Sequence, residues 1–143
     1  MATLYGTQMA KLRNSTPVQL PDPCDVHGRV RCFDELVVLA SQATADGIIE
    51  VARLPKGAKF LYGILQTDTS LGTSTIAIGI SGTAGKYRAS ATFTATNTPT
   101  LFGVVSAATV AKLTAEEIVI ITFATANLPA SGNLRVQIFY SLD

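Results

Sequence analysis

The sequence predicts an all-β protein: a single β-sandwich, jelly-roll-like, of about eight strands, with an extended N-terminal arm. Three observations carry this expectation. Apolar side chains recur with a period of two along much of the chain, as they do where alternate residues of a strand face a core. Clusters of Gly, Pro, Asn, Asp and Ser interrupt these runs at short intervals. Pro17, Pro21 and Pro23 fall close together near the N-terminus, each fixing its own φ and pushing its predecessor toward extended geometry. Residues 1–28 are therefore expected as an arm and residues 29–143 as the sandwich.

In the arm, Leu4, Tyr5, Met9, Leu12, Val18 and Leu20 keep no clean period, although Leu4 to Leu12 suits one short helix. Such an arm either docks on another surface or frays. Val30 to Leu39 is the first expected strand, broken near Asp34 and Glu35 by a bulge. Ile48 to Leu54 follows. Ala58 to Leu65 is apolar on both faces, as a covered central strand should be. Thr75 to Ile80 alternates most clearly, with Ile76, Ile78 and Ile80 on one face. Ala89 to Thr94 opposes Ala89, Ala91 and Phe93 to Ser90, Thr92 and Thr94. Leu101 to Val105 is a short candidate and Ile118 to Phe123 a second two-sided run. Leu134 to Tyr140 directs Leu134, Val136, Ile138 and Tyr140 inward, with Arg135 and Gln137 outward. Between them, Asp46-Gly47, Pro55-Lys56-Gly57, Ser70-Leu71-Gly72, Ser81 to Gly85, Asn97-Thr98-Pro99 and Pro129 to Gly132 are turn signals. Thr109, Val110 and Thr114 weaken a helical reading of Ala107 to Glu117, which is expected as a loop or a single helical turn. Eight strands is the jelly-roll count.

Composition bounds the function. At 143 residues the chain can bury a core without a disulfide or metal staple. It is 48% hydrophobic and only 15% charged, against about 25% in ordinary soluble domains. A charge-poor exterior fits a subunit whose surface is covered in an assembly. The net charge of +1, with its 11 basic residues scattered, argues against a nucleic-acid groove. No secretory signal is visible and no apolar run is long enough for a bilayer, so synthesis in a cytoplasm and free thiols at Cys24 and Cys32 are expected.

No catalytic, cofactor-binding or metal-binding residues are assigned. Gly79 to Lys86 has a glycine-rich look, but a phosphate-binding loop needs Gly and Ser or Thr where Ile80 and Tyr87 stand. His27 is the only histidine, and no Gly-x-Ser-x-Gly elbow accompanies it. Cys24, His27 and Cys32 lack the paired short spacings of a structural zinc site, even with Asp22 or Asp25 added. Asp34-Glu35 and Glu116-Glu117 are adjacent pairs whose members point to opposite faces of a strand, and they are expected as solvated charges at strand ends. Asn14-Ser15-Thr16 has the form of a glycosylation site but lacks the secretory context.

The order of several segments resembles a known family. These are Leu54-Pro55-Lys56-Gly57-Ala58, Ile76 to Ile80 with Lys86 to Ala89, Ala91 to Thr94 leading into Thr98 to Gly103, Leu113 to Glu117, and Leu128 to Val136. Together they resemble the capsid decoration (cement, head-stabilising) proteins of tailed bacteriophages over most of residues 30–143. The resemblance implies a virion protein on the capsid surface that bridges neighbouring subunits of the major capsid protein, commonly as a homotrimer. The arm would do the reaching. The residues themselves, with no catalytic motif, no basic groove and no long apolar run, leave no enzyme activity, no cofactor, and neither nucleic acid nor membrane as a partner to be expected. Two other readings stand beside it: a carbohydrate- or receptor-binding module of the virion, and a tail or connector component. The absence of Trp weighs against the first of these, since such sites favour exposed aromatics.

Overall fold

The structure is a computed structural model that describes residues 3–44 and 47–143. Eight strands form: β1 (Arg29–Val38), β2 (Ile48–Leu54), β3 (Lys59–Thr67), β4 (Thr75–Ile80), β5 (Thr83–Thr92), β6 (Thr100–Phe102), β7 (Glu117–Ala124) and β8 (Asn133–Leu142). They make two four-stranded antiparallel sheets, ordered β1-β8-β3-β6 and β2-β7-β4-β5. Successive strands β1 to β4 alternate between the sheets, and β5 to β8 return in the complementary positions. That is the jelly-roll order of two interleaved Greek keys.

The core lies between the sheets. Leu54, Ile76, Ile78, Val119, Ile121 and Leu134 are wholly inaccessible, with Leu39, Leu65, Val136 and Ile138 nearly so. Each such side chain contributes about 1.5–3 kcal/mol through burial. The alternation read from β4 and β8 places Ile76, Ile78, Leu134, Val136, Ile138 and Tyr140 inside. Of the face read over Ala89 to Thr94, only Phe93, just past the end of β5, is buried. Ala89 and Ala91 are exposed because β5 is an edge strand, and Tyr87 alone in it is buried.

Two expectations about irregularity are corrected. β1 pairs with β8 without a bulge, from Arg29 opposite Leu142 to Val38 opposite Asn133. Asp34 does not break the strand because it points outward onto Arg135, whose Nε and Nη2 reach its two oxygens at 2.9 and 2.5 Å. The bulges fall instead at Val51 in β2, at Leu61 in β3, and between β4 and β5. In the last, the Arg88 guanidinium supplies the missing donors, reaching the Ile76 carbonyl at 2.5 Å and those of Ala91 and Thr92 at 3.3 Å. The expected loop Ser81 to Gly85 shrinks to a two-residue turn. Gly82 takes the positive φ of +85° there, and Thr83 already pairs with Ile80. The Asp46 half of the Asp46-Gly47 turn lies outside the described residues.

Before β1, the arm is extended only in part. It carries α1 (Thr7–Arg13), close to the expected helix, and a single turn α2 (Pro23–Val26). Asp22 caps α2 by accepting from the Cys24 amide at 2.9 Å, and Pro23 supplies the preset φ of a first helical residue. After β6 the chain leaves the sheet at Gly103. It then makes the single turn α3 (Ala107–Val110), where buried Thr109 accepts from the Ser106 amide at 2.9 Å.

Candidate interaction surface

Sheet register places an organised set of side chains on the outer face of the β1-β8-β3-β6 sheet. One row across it is Cys32, Phe139 and Tyr62; the next is Asp34, Gln137, Ile64 and Leu101; the next is Leu36, Arg135 and Gln66. Phe139 stacks on Tyr62 with centroids 4.8 Å apart and planes 17° off parallel. The Asp34–Arg135 pair, joined by Gln137 at 3.3 Å, sets a polar band between apolar ones. Leu101 remains exposed, and with Leu61, Tyr62 and Phe102 to Val105 it lines a shallow groove along β6, while Leu36 and Val38 are exposed on β1 at the opposite edge of the sheet. Val105 at its rim is 93% accessible.

The arm crosses one end of the same sheet. Cys24 is buried there, and its carbonyl accepts from Ser141 Oγ at 2.8 Å. Gly28 has no room for a side chain, since a Cβ would fall 2.0 Å from Ser141 Oγ. Lys112 pairs with Asp22 at 2.8 Å, and Lys59 pairs with Asp25. Gln8 ties α1 to this anchor through the Asp22 amide and the Asp25 carboxylate. The anchor is polar. The apolar residues of the arm are left outward, with Leu4 92% and Leu20 86% accessible, and none of α1 is buried.

Charges follow this geometry. The hydrogen bond from Lys112 holds the Asp22 carboxyl below its ordinary range, and that from Arg135 does the same for Asp34. Asp68 is lowered by the Asn133 amide and side chain, which it accepts at 2.8 and 2.9 Å. These bonds close the end of the sandwich beside Gln66, Asn97 and Arg135. At the opposite rim, Glu117 turns inward and accepts from Tyr87 Oη at 2.6 Å and Lys86 Nζ at 2.5 Å. Burial, with Glu117 adding to it, pushes the Tyr87 phenol well up.

The residues weighed for chemistry are not gathered into a site. His27 is exposed at the end of α2, Cys24 is buried 3.8 Å from the Gly57 carbonyl, and Cys32 lies on the sheet face. Desolvation and then Asp34 push the Cys32 thiol up, away from the reactive thiolate. Among the described residues no three of His, Cys, Asp and Glu stand close enough to hold a metal. Gly79 to Lys86 belongs to a strand hairpin and opens no helix. Asp34 is solvated as expected but stands in the middle of β1 and pairs with Arg135, while Glu117 opens β7 as expected but is mostly withdrawn from water onto Tyr87 and Lys86. Lys59 and Lys112 gave no local signal of their role, whereas Asp22-Pro23 carried a readable helix-start signature.

No protein-family profile matches the chain, and no curated protein matches it. Solved structures do. A chain of the cyanophage Pam1 capsid asymmetric unit superposes with a TM-score of 0.69 at 24% identity, over 91% of this chain and 97% of that one. A chain of the acidic stable capsid of Helicobacter pylori bacteriophage KHP30 matches at 0.60 and 15% identity, over 82% and 90%. One of the capsid of Ralstonia phage GP4 matches at 0.60 and 23%, over 82% and 86%. The fold is one found in phage capsids. A shared fold leaves the role to be argued from surfaces. Among the described residues no helix is long and apolar enough to cross a membrane.

Proposed function

We propose that the chain is a structural virion protein that decorates and stabilises a tailed-phage capsid by bridging neighbouring capsid subunits. The observation that carries the reading is the match of nearly the whole jelly roll to chains of phage capsid structures. The anchored arm with its outward apolar residues supports it. The partner is the major capsid protein, and the location is the capsid surface after synthesis in the host bacterial cytoplasm. Three copies are the favoured assembly, for which the groove beside β6 offers an apolar contact that can close head-to-tail into a ring. The action is mechanical and needs no catalysis, cofactor, nucleic acid or membrane. Each copy covers surface on two capsid subunits, and standard interfaces of about 1,600 Å² repeated over a shell multiply individually modest contacts.

Removing residues 1–20 tests the reading, because the cut spares the Asp22, Cys24 and Asp25 anchor. The truncated chain is expected to fold and to lose stable occupancy on purified capsids. Undiminished occupancy would remove the arm from the contact.

A further inference from the structure

We propose that β1 pairs antiparallel with β1 of a second copy of this chain, across a twofold axis at Phe33. β1 is a ten-residue strand at the edge of its sheet. An edge of that length presents a row of backbone donors and acceptors. Which residues face outward is fixed by two bonds. The Leu36 amide donates to its neighbour Glu35 Oε1 at 3.2 Å, and the Val38 carbonyl accepts from Gln42 Nε2 at 2.9 Å. Leu39, by contrast, donates toward the β8 side, to the Gly132 carbonyl at 2.9 Å. The even-numbered residues of β1 therefore offer their backbone groups to the open edge.

Gln42 caps this edge at Val38, and Val30 is the first even-numbered residue of β1. The usable stretch is Val30 to Leu36, whose midpoint is Phe33. Antiparallel pairing about that midpoint sets Val30 opposite Leu36 and Cys32 opposite Asp34 as hydrogen-bonded pairs. Arg31 falls opposite Glu35, twice by symmetry. The Leu36 amide then passes from Glu35 to the partner's strand, which frees the Glu35 carboxylate for Arg31 across the axis. Opposite charges facing each other favour a register, and like charges disfavour it. A shift of two residues one way sets Asp34 against itself; a shift the other way sets Val30 against Asp34 and shortens the pairing. A shift of one would exchange the faces.

Arg31 and Glu35 have a competing reading as charges that merely blunt an edge against pairing. The proposal does not depend on where the chain sits in a virion. It leaves the groove beside β6 untouched, so the contact can link neighbouring oligomers.

Cysteine cross-linking decides it. In a Cys32→Ser background, Arg31→Cys and Glu35→Cys are prepared separately and oxidised with diamide, alone and as an equal mixture. Residues directly opposite at a non-hydrogen-bonded position lie about 4.5 Å apart at Cα, within disulfide range. The mixture is expected to give two-chain bands on a denaturing gel, and either variant alone few. In parallel, Arg31→Glu and Glu35→Arg should each weaken association at least tenfold by sedimentation, and the double reversal should restore it. Circular dichroism checks that every variant is folded. Absence of mixed bands, equal bands from single variants, or a double reversal as weak as the singles would overturn the proposal.

Discussion

Tyr87 and Glu117 lie 30 residues apart, and neither declares the other in the sequence. Tyr87 is wholly buried, its ring 4.3 Å from that of Phe60, and its hydroxyl ends on a carboxylate that Lys86 also reaches. Tyr87→Phe keeps the packing and removes the donor, so it should cost about 1–3 kcal/mol in a denaturant titration. Gly63→Ala tests packing directly. A Cβ there would fall 2.1 Å from the Phe102 ring, which covers Gly63 across the β3–β6 pair, and overpacking of this kind costs about 1–3 kcal/mol. The carboxylates give a signed pH dependence. Asp22, Asp34 and Asp68 all lie below their ordinary 3.8 in the folded chain, so the unfolded chain takes up their protons first. Their contribution is full above the ordinary range and is lost as pH falls through the lowered values. Stability should be level from about pH 7 to 5 and fall below about pH 4, with Asp68→Asn reducing the fall. None of these partners was legible in the sequence, because ion pairs across strands depend on register and not on local pattern.

At the scale of elements, β2 and β4 were legible to the residue. Turn residues on either side state the ends of both, and in β4 the spacing of Ile76, Ile78 and Ile80 also states the period, whereas in β2 the bulge at Val51 breaks it. β5 was not. Its Ala, Ser and Thr alternate without a hydrophobic difference large enough to choose a face, and the bulge filled by Arg88 shifts the pairing midway. The bulge expected at Asp34-Glu35 fails for a related reason: an outward acid on an edge strand needs only an outward base on its neighbour. The arm was visible through its prolines, but its anchor was hidden, because Lys59 and Lys112 come from loops and strands far along the chain. That anchor separates two truncations. Loss of residues 1–20 should leave stability within about 0.5 kcal/mol of the full chain, as surface changes do. Loss of residues 1–28 strips Cys24 from Ser141 and both lysine pairs, and should lower it by about 1–3 kcal/mol. Thermal melts of the two proteins side by side measure the difference.

For the whole molecule, low charge and outward apolar side chains fit the capsid role proposed above. The surface is arranged in parts: a banded outer sheet face, an apolar groove, an arm pinned at one end, and an open strand edge. Each is suited to contact with a neighbour. Leu4, Leu20, Leu101 and Val105 are large apolar side chains that the chain by itself leaves in water. The 15% charge, below the about 25% of ordinary soluble domains, was the composition's pointer toward assembly. Which parts of the surface serve was not legible, because outward positions on a strand carry no label for their partner. The most direct measurement is co-sedimentation of the purified full-length chain with shells assembled from its cognate major capsid protein, followed by imaging of the bound particles. Saturable binding is expected, with density for a jelly roll on the outer surface over boundaries between capsid subunits. Failure to bind at saturating concentration, or density confined to the tail, would contradict it.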